Sequence, residues 1–298
     1  MQVRIFAEPH FGATYADQLA LALAGERAGF DGFFRSDHYL TMDDSPGLPG
    51  PTDAWVTLAG LARETSRIRL GTLVTAATFR LPGPLAIAVA QVDQMSGGRV
   101  DFGFGTGWFE AEHTAYGVPF PPLGERFERL EEQLEIITGL WAADKPFSFT
   151  GRHYTVADSP GLPKPAQRPG PPVILGGWGR KRTPALAARF ASEFNVPFAS
   201  IEDTVLSFDA VRAVADRPLV LSVAQTVACG RTDAELKSRM DAIGPAAARA
   251  LTGTPDALVE QLGRFAEAGA SRAFLQILDL HDLDHLDVIA SDVVPQLP

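Results

Sequence analysis

Two short stretches place a carboxylate close to an imidazole: Glu8 and His10 in "FAEPHF", and Asp37 beside His38 in "FFRSDHYL". An imidazole titrates near neutral pH, so such a pair can move a proton or hydrogen-bond a cofactor. A metal would need several convergent ligands, and neither H-x-H nor H-E-x-x-H occurs in the chain. A serine nucleophile of the hydrolase kind would sit in G-x-S-x-G, which is also absent. Turn chemistry alone explains a Ser or an Asp at a strand end. It explains less well why an Asp should be followed by a His.

Glycine-rich stretches supply a second kind of chemistry. In "FGFGTGWFE", Gly105, Thr106, Gly107 and Trp108 precede a helical run, and glycine backbone can approach a flat ring or a phosphate closely. In "VILGGWGRKRTPAL", Gly176, Gly177, Trp178 and Gly179 lead into Arg180, Lys181 and Arg182 at the start of another helix. Exposed N–H groups, the helix dipole and three cations favour an anion there, the alternative being a solvated basic turn. Trp178 is bulky for such a loop and is expected to pack over it.

These residues need elements that bring them to one face. Short apolar runs alternate with stretches of helical period: "VRIFAE", a helix over 15–28, "GFFRS", a helix over 52–65, "IRLGTLVT", a helix over 84–95, "RVDFGFG", a helix over 124–141 and "PVILGG". "SEFNVP", "LVLSVAQTV" and "RAFLQIL" complete eight strands, apolar and non-alternating as when both faces are covered. The order predicts an α/β fold, a closed (β/α)8 TIM-type barrel formed by one domain over 1–298. An open doubly wound sheet is the other candidate, but no G-x-G-x-x-G follows the first strand. Residues 144–172 break the alternation after strand four and read as an insertion with a hairpin near Thr150 to Arg152. In such a barrel catalytic groups gather where strands end, which would assemble Glu8, His10, 36–38, Thr72, Thr75, 103–107, Gly176, Gly177, Asn195, Gln225, Gln276 and Asp279.

Composition narrows the partners. The net charge of -10 opposes attraction to nucleic acid or anionic membranes. No apolar run approaches the roughly 20 residues of a membrane span, and "QVRIFAE" reads as a strand, not a leader. The lone Cys229 in "SVAQTVACG" reads as a buried thiol and suits a reducing cytoplasm.

Taken in order, "FFRSDHYL", "IRLGTLVTAATFRLPGPLA", "MSGGRVDFGFGTGWFEAEHTAYG", "FTGRHY" and "LPKPAQRPGPPVILGG" resemble the luciferase-like monooxygenase superfamily, and within it the branch that uses the deazaflavin coenzyme F420. The resemblance implies a hydride-transferring oxidoreductase acting on a small-molecule substrate, with the deazaflavin lying across the strand ends. FMN, in a monooxygenase of the same fold, is the alternative cofactor, and a non-catalytic carrier is a third reading. It implies that Asp37 contacts the cofactor and that His38 sits near its reactive carbon. Glu8 is a second candidate for the accompanying proton. Leu73 and Val74 match a bulge after strand three where relatives hold a non-proline cis peptide against the ring, with Thr75 beside it. Gly105, Thr106, Gly107 and Trp108 match the loop along ring and side chain. Gly176, Gly177, Trp178 and Gly179 match the phosphate loop, with Lys181 and Arg182 for the acidic tail. The family's sugar-phosphate dehydrogenases carry a glutamate where Trp108 stands and a tryptophan where Met42 stands, which counts against a sugar phosphate here. Relatives suggest a homodimer packed through 53–61 and 84–92.

Overall fold

The computed structural model describes residues 1–43 and 45–298. Eight parallel strands, β1 (Gln2–Ala7), β2 (Gly32–Arg35), β3 (Arg69–Thr72), β4 (Val100–Gly105), β5 (Val173–Gly176), β6 (Glu193–Pro197), β7 (Val220–Cys229) and β8 (Arg272–Ile277), pair in chain order, and β8 returns to β1. The sheet is therefore a closed barrel. Helices α1 (Tyr15–Ala28), α2 (Ala54–Glu64), α3 (Pro82–Ser96), α4 (Glu110–Ala115), α5 (Leu123–Ala142), α6 (Arg182–Phe190), α7 (Ile201–Arg212), α8 (Asp233–Ile243), α9 (Pro255–Glu267) and α10 (Leu283–Val288) lie between or after the strands.

Local sequence explains where these elements stop and start. Thr14 and Asp17 form a reciprocal cap at the start of α1, and Gly29 ends that helix in the left-handed region at φ 96°. Asp53 accepts the N–H groups of Trp55 and Val56 at the start of α2. The strand side chains then divide by the two-residue period. Ile5, Phe33, Leu70, Phe194 and Leu275 face the helices and join Leu21, Leu58 and Leu134 in the main core. Each such fully buried side chain stabilises the fold by roughly 1.5–3 kcal/mol.

The alternate residues fill the barrel in layers. At the N-terminal ends of the strands Arg4, buried, donates to Asp31 and Asp101 at 2.7 Å each, and Glu193 pairs with Arg272. Above them Phe6, Phe34, Ile174, Ala224 and Phe274 form a small separate core. The Phe34 and Phe274 rings meet edge to face at 4.9 Å, with the Arg4 guanidinium 4.8 Å and 5.5 Å from their centres. Gly71 makes room for this layer, since a Cβ there would lie 2.3 Å from the Phe34 ring. The top layer is polar, with Glu8, Ser36, Thr226 and Gln276.

The stretch over 144–172 holds an antiparallel hairpin, Phe147–Thr150 with Thr155–Ser159. It lies along α5, where the Glu132 carboxylate accepts from the backbone of Arg152, His153 and Tyr154 at 2.7 to 3.0 Å. Cys229 is buried, and burial pushes its thiol up to about 11. Among the described residues no helix is long and apolar enough to cross a membrane.

Candidate active site

β1 and β2 end side by side, so Glu8, His10, Ser36 and His38 converge at the C-terminal opening of the barrel. His38 and His10 lie edge to face at 5.2 Å. His10 Nδ1 is 3.2 Å from the Ser36 hydroxyl and 3.3 Å from Glu8 Oε2, while Gln276 donates to Glu8 Oε1 at 2.8 Å. Burial raises the Glu8 carboxyl above the ordinary carboxylate range. Burial, with the nearby His38 and Arg35 charges, lowers His10 to about 3. At neutral pH His10 is an uncharged hydrogen-bonding group.

His38 differs because it has a partner that sequence reasoning missed. Its Nδ1–H donates to Glu112 Oε1 at 3.0 Å, and Glu112 Oε2 also accepts the backbone N–H of Tyr39 at 2.9 Å. A carboxylate only accepts, so Nδ1 carries a proton and Nε2 is the free position of the ring. Burial opposes the charged form of His38, but the hydrogen bond and charge of Glu112, with Glu8 and Asp37, outweigh it and raise the pKa. The side chain keeps 16% exposure, and Trp108, 63% exposed, stands edge-on to it at 5.7 Å.

Asp37 sits between Ser36 and His38 in the chain yet faces elsewhere. Its Oδ2 accepts from Thr75 at 2.9 Å, and both oxygens accept from Arg80, which also pairs with Asp53. The carboxylate is buried and its present hydrogen bonds go to Thr75 and Arg80, so it braces the bulge. Arg35, also buried, reaches Gln18, Thr52 and Thr57 on the helix side.

The neighbouring strand ends are built for close approach. The Leu73–Val74 peptide is cis, and both residues are half-buried between fully buried Thr72 and Thr75. The chain then re-pairs as Thr75–Ala76 with Phe104 and Gly105. Gly103 and Gly105 admit this bulge, because a Cβ at Gly103 would lie 1.9 Å from the Thr72 carbonyl and one at Gly105 2.9 Å from Val74. Gly107, at φ 76°, is held by Arg126 donating to its carbonyl, and Thr106 donates to the same oxygen at 3.2 Å. Gly177, at φ 127°, has open space where a Cβ would stand, while a Cβ on Gly176 would lie 2.3 Å from the Asn195 carbonyl. The helix after this loop begins at Arg182. Arg180 pairs with Asp203 at 3.6 Å, and Arg182 turns to the Gly124 carbonyl and the Phe127 ring. Lys181 is exposed beside Gly179. Trp178 does not pack over the loop: it is 65% exposed and donates to the Pro197 carbonyl at 2.6 Å, tying this loop to the end of β6. No three His, Cys, Asp or Glu side chains among the described residues are grouped to hold a metal.

A closed barrel with buried carboxylate and imidazole groups at its mouth and a glycine-lined ledge on the neighbouring strand ends is an architecture that could hold a flat cofactor. Residues 1–247 match the luciferase-like monooxygenase family, and the chain belongs to that family. It is 36% identical over 178 residues to the F420-dependent glucose-6-phosphate dehydrogenase of Microbacterium testaceum, covering 59% of this chain and 51% of that one. It is also 36% identical over 140 residues to the FMNH(2)-dependent dimethylsulfone monooxygenase of Pseudomonas putida, covering 45% of this chain and 38% of that one. The chain thus spans about half the length of the curated relatives it matches. An F420-dependent secondary alcohol dehydrogenase in complex with an F420-acetone adduct has the same fold, with TM-score 0.83, 19% identity, and coverage of 100% of this chain and 99% of that one.

Proposed function

We propose that this protein is a coenzyme F420-dependent oxidoreductase, a single-domain barrel over 1–298 that transfers a hydride between the deazaflavin and a small organic substrate. The observation that carries the reading is His38, mounted on Glu112 with Nε2 unengaged among the described residues, at the end of the strand that pairs with the one running into the half-buried ledge of Leu73 and Val74. A flat ring suits that ledge because Gly105, beside Val74, carries no side chain and Gly177 borders open space. When bound, the deazaflavin supplies a two-electron hydride donor or acceptor, and the protein supplies placement and the proton. His38 holds that proton at Nε2, and Glu8 stands behind it as a buried acid. Leu73, Val74, Thr75 and the 105–108 loop would hold the ring; Gly176, Gly177, Trp178 and Gly179 would hold the phosphate, and Lys181 the acidic tail, with Arg182 nearby. Asp37 contributes through Arg80 and Thr75, as a brace.

FMN is the second reading, favoured by the FMNH(2)-dependent relative. Titrating the purified protein with each cofactor and following the deazaflavin or flavin fluorescence separates them. Saturable deazaflavin binding with weak FMN binding is expected, and the reverse order would overturn the reading.

The working form is a homodimer, a reading supported by exposed Val56 on α2 and exposed Leu81 and Ile87 at and on α3, apolar side chains carried by packed neighbouring helices, and the cytoplasm is its expected location.

A further inference from the structure

The charges around His38 separate one class of substrate from another. The charged groups bearing on Glu8, His10 and His38, beyond these three themselves, are Arg35, Asp37, Asp43 and Glu112. Arg35 spends its guanidinium on Gln18, Thr52, Thr57 and the Ser36 carbonyl. Arg80 is clamped between Asp37 and Asp53 and could reach an incoming anion only by leaving the buried Asp37 unpaired. Among the described residues, and counting Asp53 and Arg80, four carboxylates stand against two guanidinium groups, so these surroundings of His38 disfavour a phosphate or carboxylate.

What the site does offer is uncharged or apolar. Among the described residues Nε2 of His10 is a buried polar atom with no hydrogen-bond partner and Oε2 of Glu8 has only the 3.3 Å approach of His10 Nδ1, and neither belongs to a group suited to balance an anion. Beside His38 stand exposed Trp108 and half-buried Phe109, the latter 6.3 Å from the imidazole.

We propose that the substrate of this site is an uncharged carbonyl compound with an apolar body, its oxygen received at Nε2 of His38 while Glu112 fixes the ring from behind. The proposal rests on the reading above that a deazaflavin occupies the mouth. Reducing such a ketone breaks the carbonyl π bond: carbon gains a hydride from the reduced deazaflavin and oxygen gains the Nε2 proton. The products are a secondary alcohol and the oxidised deazaflavin, and water returns the proton to His38.

The test has a binding arm and a turnover arm. Saturation-transfer NMR, run on the protein with and without oxidised F420, compares cyclohexanone, acetophenone and 2-octanone with glucose 6-phosphate. At least one ketone is expected to bind and the sugar phosphate is not. With reduced F420, kcat/KM for that ketone should exceed that for F420-linked oxidation of glucose 6-phosphate by about 100-fold or more. Binding or turnover of the sugar phosphate as well as or better than the ketones, or binding of none of the three ketones, overturns the proposal. Failure of F420 itself to bind would instead sink the cofactor assignment, and the cofactor-free NMR comparison would still decide the substrate class.

Discussion

Glu112 holds His38 and the backbone of Tyr39 with one carboxylate, at 3.0 Å through the imidazole Nδ1–H and at 2.9 Å through the amide N–H. Ring orientation and the path of the chain leaving β2 are set by the same buried group.

Replacing that carboxylate by an amide should move the pH profile of ketone reduction. In the native protein Glu112, Glu8 and Asp37 raise the His38 pKa against the opposing effect of burial, with neutral His10 alongside and Arg35 committed elsewhere. In Glu112→Gln the largest raising influence is lost, so the proton leaves His38 at lower pH and the alkaline limb of kcat shifts to lower pH. His38→Ala should cost about 10²- to 10⁴-fold in kcat, the usual contribution of a positioned acid. An unchanged profile in Glu112→Gln would show that other contacts set the ring.

Arg80 and Asp37 make a stability prediction that also tests the role of Asp37. Arg80→Met leaves a buried carboxylate unpaired and should cost about 3–5 kcal/mol in urea unfolding. The double variant with Asp37→Asn should recover most of that loss and keep native deazaflavin affinity. Weakened cofactor binding by the folded double variant would restore a direct contact for Asp37.

Gly177 lies at φ 127°, a conformation that L side chains rarely adopt. Gly177→Ala should lose about 1–3 kcal/mol of stability. It should also weaken deazaflavin binding in a fluorescence titration, since the new methyl projects into the open space beside the ledge. An affinity equal to that of the native protein would remove this loop from the cofactor site.

Glu26 ties α1 to the start of β3, accepting from the backbone of Ser66, Arg67 and Ile68 and from the Ser66 hydroxyl, and these bonds hold its pKa down to about 2. A depressed carboxylate stabilises the fold above its unfolded value of 4.5, and that stability is lost as pH falls through about 2. Glu26→Gln should therefore unfold more readily by about 1 kcal/mol at neutral pH, allowing for solvent screening. The gap between the two proteins in urea titrations should narrow from pH 5 downward.

The exposed apolar side chains Val56, Leu81 and Ile87 on the packed helices α2 and α3 predict self-association. Sedimentation of the native protein should give a dimer, and Val56→Asp with Ile87→Asp should give a folded monomer with native circular dichroism. A native protein that sediments as a monomer would end the dimer reading.

Much of the barrel was legible because its signals are local: α1 begins and ends at a capping pair and a glycine, and each strand is a short apolar run. The orientation of Asp37 was legible too, but needed the two-residue period. Ser36 and His38 share one face of the extended segment and meet His10, while Arg35 and Asp37 share the other and meet helix-side partners. Adjacent in sequence, Asp37 and His38 meet different partners, and Asp37 acts on His38 only through its charge. Glu112 was hidden for a different reason. Glu110 and Glu112 both stand in the six-residue α4, and only tertiary contacts choose between them. His113 anchors that helix to Thr78 at 2.7 Å, and Arg126 grips the Gly107 carbonyl, leaving Glu110 exposed and Glu112 buried under His38. Trp178 likewise took its direction from the Pro197 carbonyl, a partner 19 residues away.

The layered interior shuts the barrel at the N-terminal ends of its strands. Arg4, wedged against Phe34 and Phe274 and tied to Asp31 and Asp101, stoppers that end. In the proposed reading, a cofactor and a substrate would then both approach His38 from the side of the strand ends, and the order in which they are seated would become part of the reaction.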